Sequence, residues 1–311
     1  MHTRFSAKVS DDHGIGSTTS TLRQTMSDYL ALTKPRVISL LLLTTLAGML
    51  ITPAGSPPFY LIAWTLLAGY LMAGGANAVN MAYDVDIDST MGRTKLRPVP
   101  SGRMTPRRAF VFGIVLASVA FMLLVLFVNI LAAVLSLAGF VYYTVIYTRW
   151  LKRSTWQNIV IGGGAGAIPP LVGWAAAYGQ LTWPSLFLFL IVFFWTPPHF
   201  WALALMKRKD YTTAGVPMLP VVAGPAETAR QMLLYSIGMM AVTVVLTPLQ
   251  MMGWIYLVFA VALGSVFLWH AWQVVKDPLP TRGAALTLYK YSLLYLALLF
   301  AVMVVDRLIL S

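Results

Sequence analysis

Apolar runs of about 20 residues alternate along most of the chain with short segments rich in Pro, Gly and basic residues. A helical run of that length matches the thickness of bilayer hydrocarbon. The pattern predicts nine spans, at roughly 37–53, 59–80, 109–128, 130–148, 157–177, 183–205, 229–248, 252–274 and 286–306. Pro53, Pro57 and Pro58 separate the first two, and Asn129 marks a very tight turn between the third and fourth. The helix of the second span is expected to run on through Asp88. The fifth contains Gly162-Gly163-Gly164 and Pro169-Pro170, so a kinked or broken helix is expected, its backbone satisfied by neighbouring protein or a cavity. Residues 1–26 are polar and lack the apolar core of a signal peptide. They read as a disordered cytoplasmic tail, with 27–311 as a single transmembrane domain. The expected fold class is all-α, a polytopic helical bundle. No internal repeat is evident.

Composition agrees. Of 311 residues, 59% are hydrophobic and 10% charged, against about 25% charged in a soluble domain. The net charge of +12 comes from bases gathered in alternate connections: before the first span, then after the second, fourth, sixth and eighth. Twenty of the 22 Lys and Arg residues lie there; Lys290 and Arg307 are the others. This is a topology signal, placing the N-terminus in the cytoplasm and the C-terminus outside. It does not indicate nucleic acid, because no soluble basic domain exists to bind it. The absence of Cys excludes disulfides, thiolate metal sites and a Cys nucleophile.

Chemistry concentrates where the second span ends. Asn80, Asp84 and Asp88 recur at one stripe of a helix, while Asp86 points roughly the other way. Carboxylates beside lipid are costly and call for a functional explanation. An amide and two carboxylates offer hard oxygens to a divalent cation. Arg93, Lys95, Arg97 and Arg103 follow, and guanidinium groups suit phosphate. Metal-holding acids beside phosphate-holding bases are the layout of a diphosphate site; the plainer alternative is a solvated membrane-exit segment. A second stretch, Trp195-Thr196-Pro197-Pro198-His199-Phe200-Trp201, leads to Lys207 and Asp210. His199 is either a packing residue or a ligand to iron or a carboxylate. Asp210 either pairs with neighbouring lysines or completes a metal site opposite Asp84. Lys152-Arg153-Ser154-Thr155 can add phosphate donors. His270, with no polar companions, reads as packing.

These stretches carry a resemblance. Asn80…Asp84…Asp88, with Arg93-Thr94…Arg97-Pro98…Pro100-Ser101-Gly102 and Lys152-Arg153…Thr155, resembles the UbiA-type intramembrane polyprenyltransferases. Thr33-Lys34-Pro35-Arg36, the block from Thr196 to Ala204, and Asp210-Tyr211 with Gly215-Val216-Pro217-Met218-Leu219-Pro220 are similar to the branch that farnesylates protohaem IX. The similarity spans about residues 28–308. It implies farnesyl diphosphate and haem B as substrates, haem O and diphosphate as products, and Mg²⁺, with Mn²⁺ as substitute. It implies metal ligation by Asn80, Asp84, Asp88 and Asp210. Arg36, Arg93, Arg97, Lys152, Arg153 and Lys207 would bind diphosphate, with Asp84, Asp88 and Arg97 central to catalysis. His199 would contact haem. The superfamily's second motif has two aspartates four residues apart, whereas Asp210 stands without that partner and His199 lies eleven residues before it. Asp86 gains no role. The resemblance further implies a multi-pass protein of the cell membrane, cytoplasmic chemistry, lipid contact and a downstream membrane enzyme that uses or modifies the haem.

Three rival readings remain at this level: a phenol prenyltransferase of the same superfamily, a transporter binding a coupling ion, and a haem-binding electron carrier using His199 and His270. A transporter predicts repeats and charges near the bilayer midplane, whereas these charges gather at one face. The distribution of bases makes one firm prediction. A topology reporter fused after Ser311 should report from outside the cytoplasm, and a cytoplasmic signal would overturn the nine-span reading.

Overall fold

The computed structural model describes residues 15–277 and 283–310, and every described element is helical. The order is α1 (Ile15–Thr33), α2 (Pro35–Leu50), α3 (Phe59–Tyr83), α4 (Val85–Thr90), α5 (Pro106–Phe127) and α6 (Ile130–Val141). A π-helical segment (Tyr142–Leu151) continues α6 into α7 (Lys152–Ser154). Then come α8 (Asn158–Tyr178), α9 (Trp183–Met206), α10 (Arg208–Thr213), α11 (Leu219–Val222), α12 (Gly224–Val244), α13 (Trp254–Lys276) and α14 (Gly283–Leu310).

Seven helices among the described residues are long and apolar enough to cross a membrane. The pair Thr21–Thr33 and Pro35–Leu50, bent by 45° at Lys34, raises this to eight. The span expected at 229–248 is a helix, but α12 opens on the polar sequence Gly-Pro-Ala-Glu-Thr-Ala-Arg-Gln and does not meet the same standard. Nine spans are therefore not established by the helices themselves. The polar N-terminal segment also differs from expectation. Ile15–Thr33 is helical, while residues 1–14 of the expected tail lie outside the described residues, as do Arg282 and Ser311.

The helix expected to be kinked or broken at Gly162–Gly164 and Pro169-Pro170 is continuous as α8, without a break, and α9 likewise passes through Pro197 and Pro198. Both helices are central in the bundle, where neighbours can shield the backbone groups that proline leaves unpaired. Asn129 forms the expected tight turn. Its Oδ1 accepts from the Ala132 N–H at 2.8 Å, and its Nδ2 donates to the Ala175 carbonyl at 2.8 Å.

One large apolar cluster, including Trp174, Trp201, Phe267, Tyr295 and Phe300, joins α8, α9, α12, α13 and α14. A second joins α3, α5, α6 and α8. A third, with Leu32, Ala78, Met81, Val99, Met104 and Ala109, seals the loop after α4 against α1, α3 and α5. Far from that loop in sequence, buried Asp306 of α14 caps α13, accepting from the N–H groups of Gly253 at 2.6 Å and Tyr256 at 2.9 Å. It gives one acidic residue a purely structural task.

Close helix approach depends on missing side chains. A Cβ at Gly75 of α3 would come within 2.5 Å of the Gly113 carbonyl oxygen of α5, and one at Gly113 within 2.6 Å of the Gly75 oxygen. Small residues let backbones meet in this way where lipid supplies no hydrophobic drive between helices. Gly75→Val should therefore separate α3 from α5 and cost about 1–3 kcal/mol or more. A lowered unfolding midpoint in detergent would show it, and an unchanged midpoint would contradict the contact.

Candidate active site

The acidic stripe lies where α3 breaks. Asp84 ends α3 and precedes α4 with φ −93° and ψ 18°, outside the regular helical region. The i,i+4 ladder nevertheless survives across it. The Asp84 N–H donates to the Asn80 carbonyl at 3.0 Å, and the Asp88 N–H to the Asp84 carbonyl at 2.7 Å. The expected stripe is thus preserved through a local break, and Asn80, Asp84 and Asp88 are all buried.

Each acid meets a base. Lys152 Nζ donates to Asp84 Oδ2 at 2.5 Å, and Arg97 donates to Asp88 Oδ2 at 2.8 Å. Arg153 donates to both oxygens of Asp86, at 2.6 and 2.8 Å, and to the Tyr83 carbonyl at 3.0 Å. It also lies 3.5 Å from Asp84 Oδ1. These hydrogen bonds from Arg153 hold the exposed Asp86 carboxyl well below the usual carboxylate range. Asp86, which had no assigned role, thus anchors Arg153 beside the buried pair. Asp84 Oδ1 is buried and accepts no hydrogen bond among the described residues.

The Asn80 amide is oriented by its partners. Lys34 Nζ, which can only donate, gives a hydrogen bond to Asn80 Oδ1 at 3.0 Å. Asn80 Nδ2 donates to Asp84 Oδ2 at 2.7 Å and to Thr148 Oγ1 at 3.1 Å. Thr148 spends its own proton on the Tyr143 carbonyl, 2.8 Å away and five residues back. The wider π-helical turn supplies that acceptor, and the Lys152 N–H likewise reaches back five residues to Tyr147. Tyr143 and Tyr147 stack at 5.5 Å beside this polar end. A Cβ at Gly162 would strike the Tyr147 ring, so glycine makes room for it.

The following loop is compact, as its Pro and Gly content predicts. Thr94, fully buried, donates to the Asp88 carbonyl at 2.9 Å. The Met104 N–H closes back on the Pro98 carbonyl at 3.0 Å, and Gly102 takes φ +80°. Arg103 ties the loop to α1 through Asp28 at 3.1 Å.

Other expected residues are placed less centrally. Arg36 and Arg93 are exposed; Lys207, between α9 and α10, is half-buried. Asp210 is half-buried on α10 and does not join Asp84 and Asp88 in a three-acid cluster; no group of three or more His, Cys, Asp or Glu gathers among the described residues. The α10 segment still faces the same charges. Burial pushes the Tyr211 hydroxyl up, and its electrostatic neighbours are Arg93, Asp88, Asp210 and Arg97. His199 is buried between Trp195 and Tyr289, with ring centroids 4.4 and 4.8 Å away, and shares a 2.6 Å hydrogen bond with Ser292. Its hydrogen bond and ring contacts are those of a well-packed side chain. Lys34 and Thr148 were missed as site residues. Lys34 carried a signal, a base at a Pro-marked helix boundary; Thr148 carried none, because only the π-helix brings it to Asn80.

Chemically, the arrangement holds a buried carboxylate pair among bases that suit an anion, and one carboxylate oxygen has no hydrogen bond. Two carboxylates are the usual protein share of a Mg²⁺ site whose other ligands are waters and phosphates, so the donor set fits that ion.

Known proteins share this architecture. A Protoheme IX farnesyltransferase of Chloroflexus aurantiacus is 58% identical over 289 residues, covering 93% of this chain and 49% of that protein. The chain spans about half the length of this relative and of two similar ones from Roseiflexus. A Protoheme IX farnesyltransferase of Trichodesmium erythraeum is 50% identical, with 95% of this chain and 90% of that protein covered. The solved structure of a UbiA homolog from Archaeoglobus fulgidus bound to GPP and Mg²⁺ superposes with a TM-score of 0.65 at 14% identity, covering 89% of this chain and 99% of that one. The UbiA prenyltransferase family matches residues 41–304, a range that takes in Asp84, Asp88 and the bases paired with them, and the chain belongs to that family.

Proposed function

We propose that this chain transfers the farnesyl group of farnesyl diphosphate to a vinyl group of haem B, giving haem O and diphosphate. The observation that carries this reading is the 50% identity with the Trichodesmium erythraeum farnesyltransferase over nearly the whole of both chains. The site agrees, since its side chains bind and stabilise charge.

Asn80, Asp84 and Asp88 are the proposed metal ligands, and Asp210 of α10, which stands outside their cluster, is the proposed fourth. Bound Mg²⁺ would supply positive charge against the diphosphate. Arg97, Lys152 and Arg153 hold the leaving group's negative charge, and Arg93, Lys207 and Arg36 line its approach. Stabilising that developing charge is the main catalytic task. The allylic C–O bond breaks, and its electron pair leaves with the diphosphate. The stacked faces of Tyr143 and Tyr147 suit the resulting cation. A vinyl π pair of haem then forms the new C–C bond. Water adds to the remaining vinyl carbon and loses a proton, giving a hydroxyethylfarnesyl group. His199, held by Ser292, is the residue proposed to contact haem. The protein is multi-pass; the family resemblance supports a cell-membrane location, and the charge pattern supports an N-terminus and a site facing the cytoplasm.

Asp84→Asn and Asp88→Asn should each lower turnover by about 10²–10³ while the protein still inserts. Excess chelator should do the same. Near-normal turnover in either variant, or with chelator, would remove these carboxylates from the site.

Anaerobic incubation in oxygen-labelled water with farnesyl diphosphate and haem B should yield farnesylated haem carrying the label. A farnesylated haem without label defeats the water-addition step. Prenylation of a phenolic acid with haem untouched would replace haem as the acceptor.

A further inference from the structure

The break between α1 and α2 is built as carefully as the acidic stripe. Lys34 takes φ 55° and ψ 61°, a left-handed conformation unusual for a residue with a side chain. Pro35 follows and disfavours the right-handed helical alternative for Lys34. Strain of this kind persists where the surroundings over-determine it, and it concentrates at functional sites. Here α3 grips both sides of the break. Asn77 Nδ2 donates to the Thr33 carbonyl at 2.9 Å, and one turn later Asn80 Oδ1 accepts from Lys34 Nζ at 3.0 Å. The break thereby turns a half-buried ammonium inward.

Charge pairing separates Lys34 from its neighbours. Arg97, Lys152 and Arg153 each form an ion pair with Asp88, Asp84 or Asp86. Among the described residues Lys34 pairs with no carboxylate, and its one hydrogen bond from Nζ goes to a neutral amide oxygen. An ammonium has three donors and is costly to hold away from water without an anion. With Lys34 protonated, these four bases face three acids, a formal surplus of one positive charge beside the buried carboxylates. That surplus matches an anionic ligand.

We propose that Lys34 is a diphosphate-binding residue of this site, directed inward by the left-handed break and held ready on Asn80. The inference rests on the diphosphate reading given above. It assigns to Lys34 the contact that the sequence pattern suggests for exposed Arg36.

The test is isothermal titration of the purified full chain with inorganic diphosphate in the presence of Mg²⁺. Lys34→Met should weaken binding by about 10- to 100-fold, the effect of losing a hydrogen bond to a charged group. Lys34→Gln keeps a donor for Asn80 and removes the charge, and it should weaken binding as much. Lys34→Arg should recover most of the affinity. Mn²⁺ binding followed by electron paramagnetic resonance without diphosphate should not weaken in the Gln variant. Wild-type affinity in Lys34→Gln would overturn the proposal, reducing Lys34 to a tether for Asn80. A folded wild-type chain that binds no diphosphate would instead overturn the site reading itself, and the role of Lys34 with it.

Discussion

Two carboxylates buried at the end of a membrane helix need compensating charge, and meeting that need organises this protein. Asp84 and Asp88 lie almost wholly out of solvent, and the bases that hold them come from separate parts of the chain. Lys152 arrives from the end of the π-helical segment, and Arg97 from the loop after α4. Removing either partner of such a pair leaves a buried charge uncompensated, which is strongly unfavourable. The helices that carry these residues are thus committed to one arrangement by more than apolar packing.

Backbone irregularities deliver the side chains. The break at Asp84 separates α3 from α4 yet keeps the i,i+4 bonds that align Asn80, Asp84 and Asp88. The left-handed Lys34 breaks α1 from α2 and turns a base inward. The π-helical turn brings Thr148 to Asn80 and fixes which side of that amide is oxygen. These departures gather around one amide and one carboxylate, whereas most of the apolar helices run regularly. Regular helices make the scaffold, and deviations from them aim the polar groups.

The same contrast marks the two histidine and aspartate outliers. His199 lies in an aromatic stack with a serine partner, so its burial is explained by packing before any ligand is considered. Asp306, remote in sequence from the acidic stripe, serves a helix N-terminus. Rarity of a charged or titratable residue in an apolar chain signals that it has a partner. It does not say whether that partner is substrate or protein.

By itself the sequence determined the all-helical membrane architecture, the acidic stripe and the bases that accompany it. Those are set by properties read along one strand of chain: run length against bilayer thickness, a four-residue spacing, and charges placed next to one another. The tight turn at Asn129 was legible for the same reason, since a helix cap is local. The continuity of α8 and α9 through paired prolines was not legible, because neighbouring helices decide whether proline breaks a buried helix. Nor were Thr148, the pairing of Arg153 with Asp86, or the inward turn of Lys34. Each joins groups tens of residues apart, and only packing α1, α3, the π-helical segment and α7 together decides which base meets which acid.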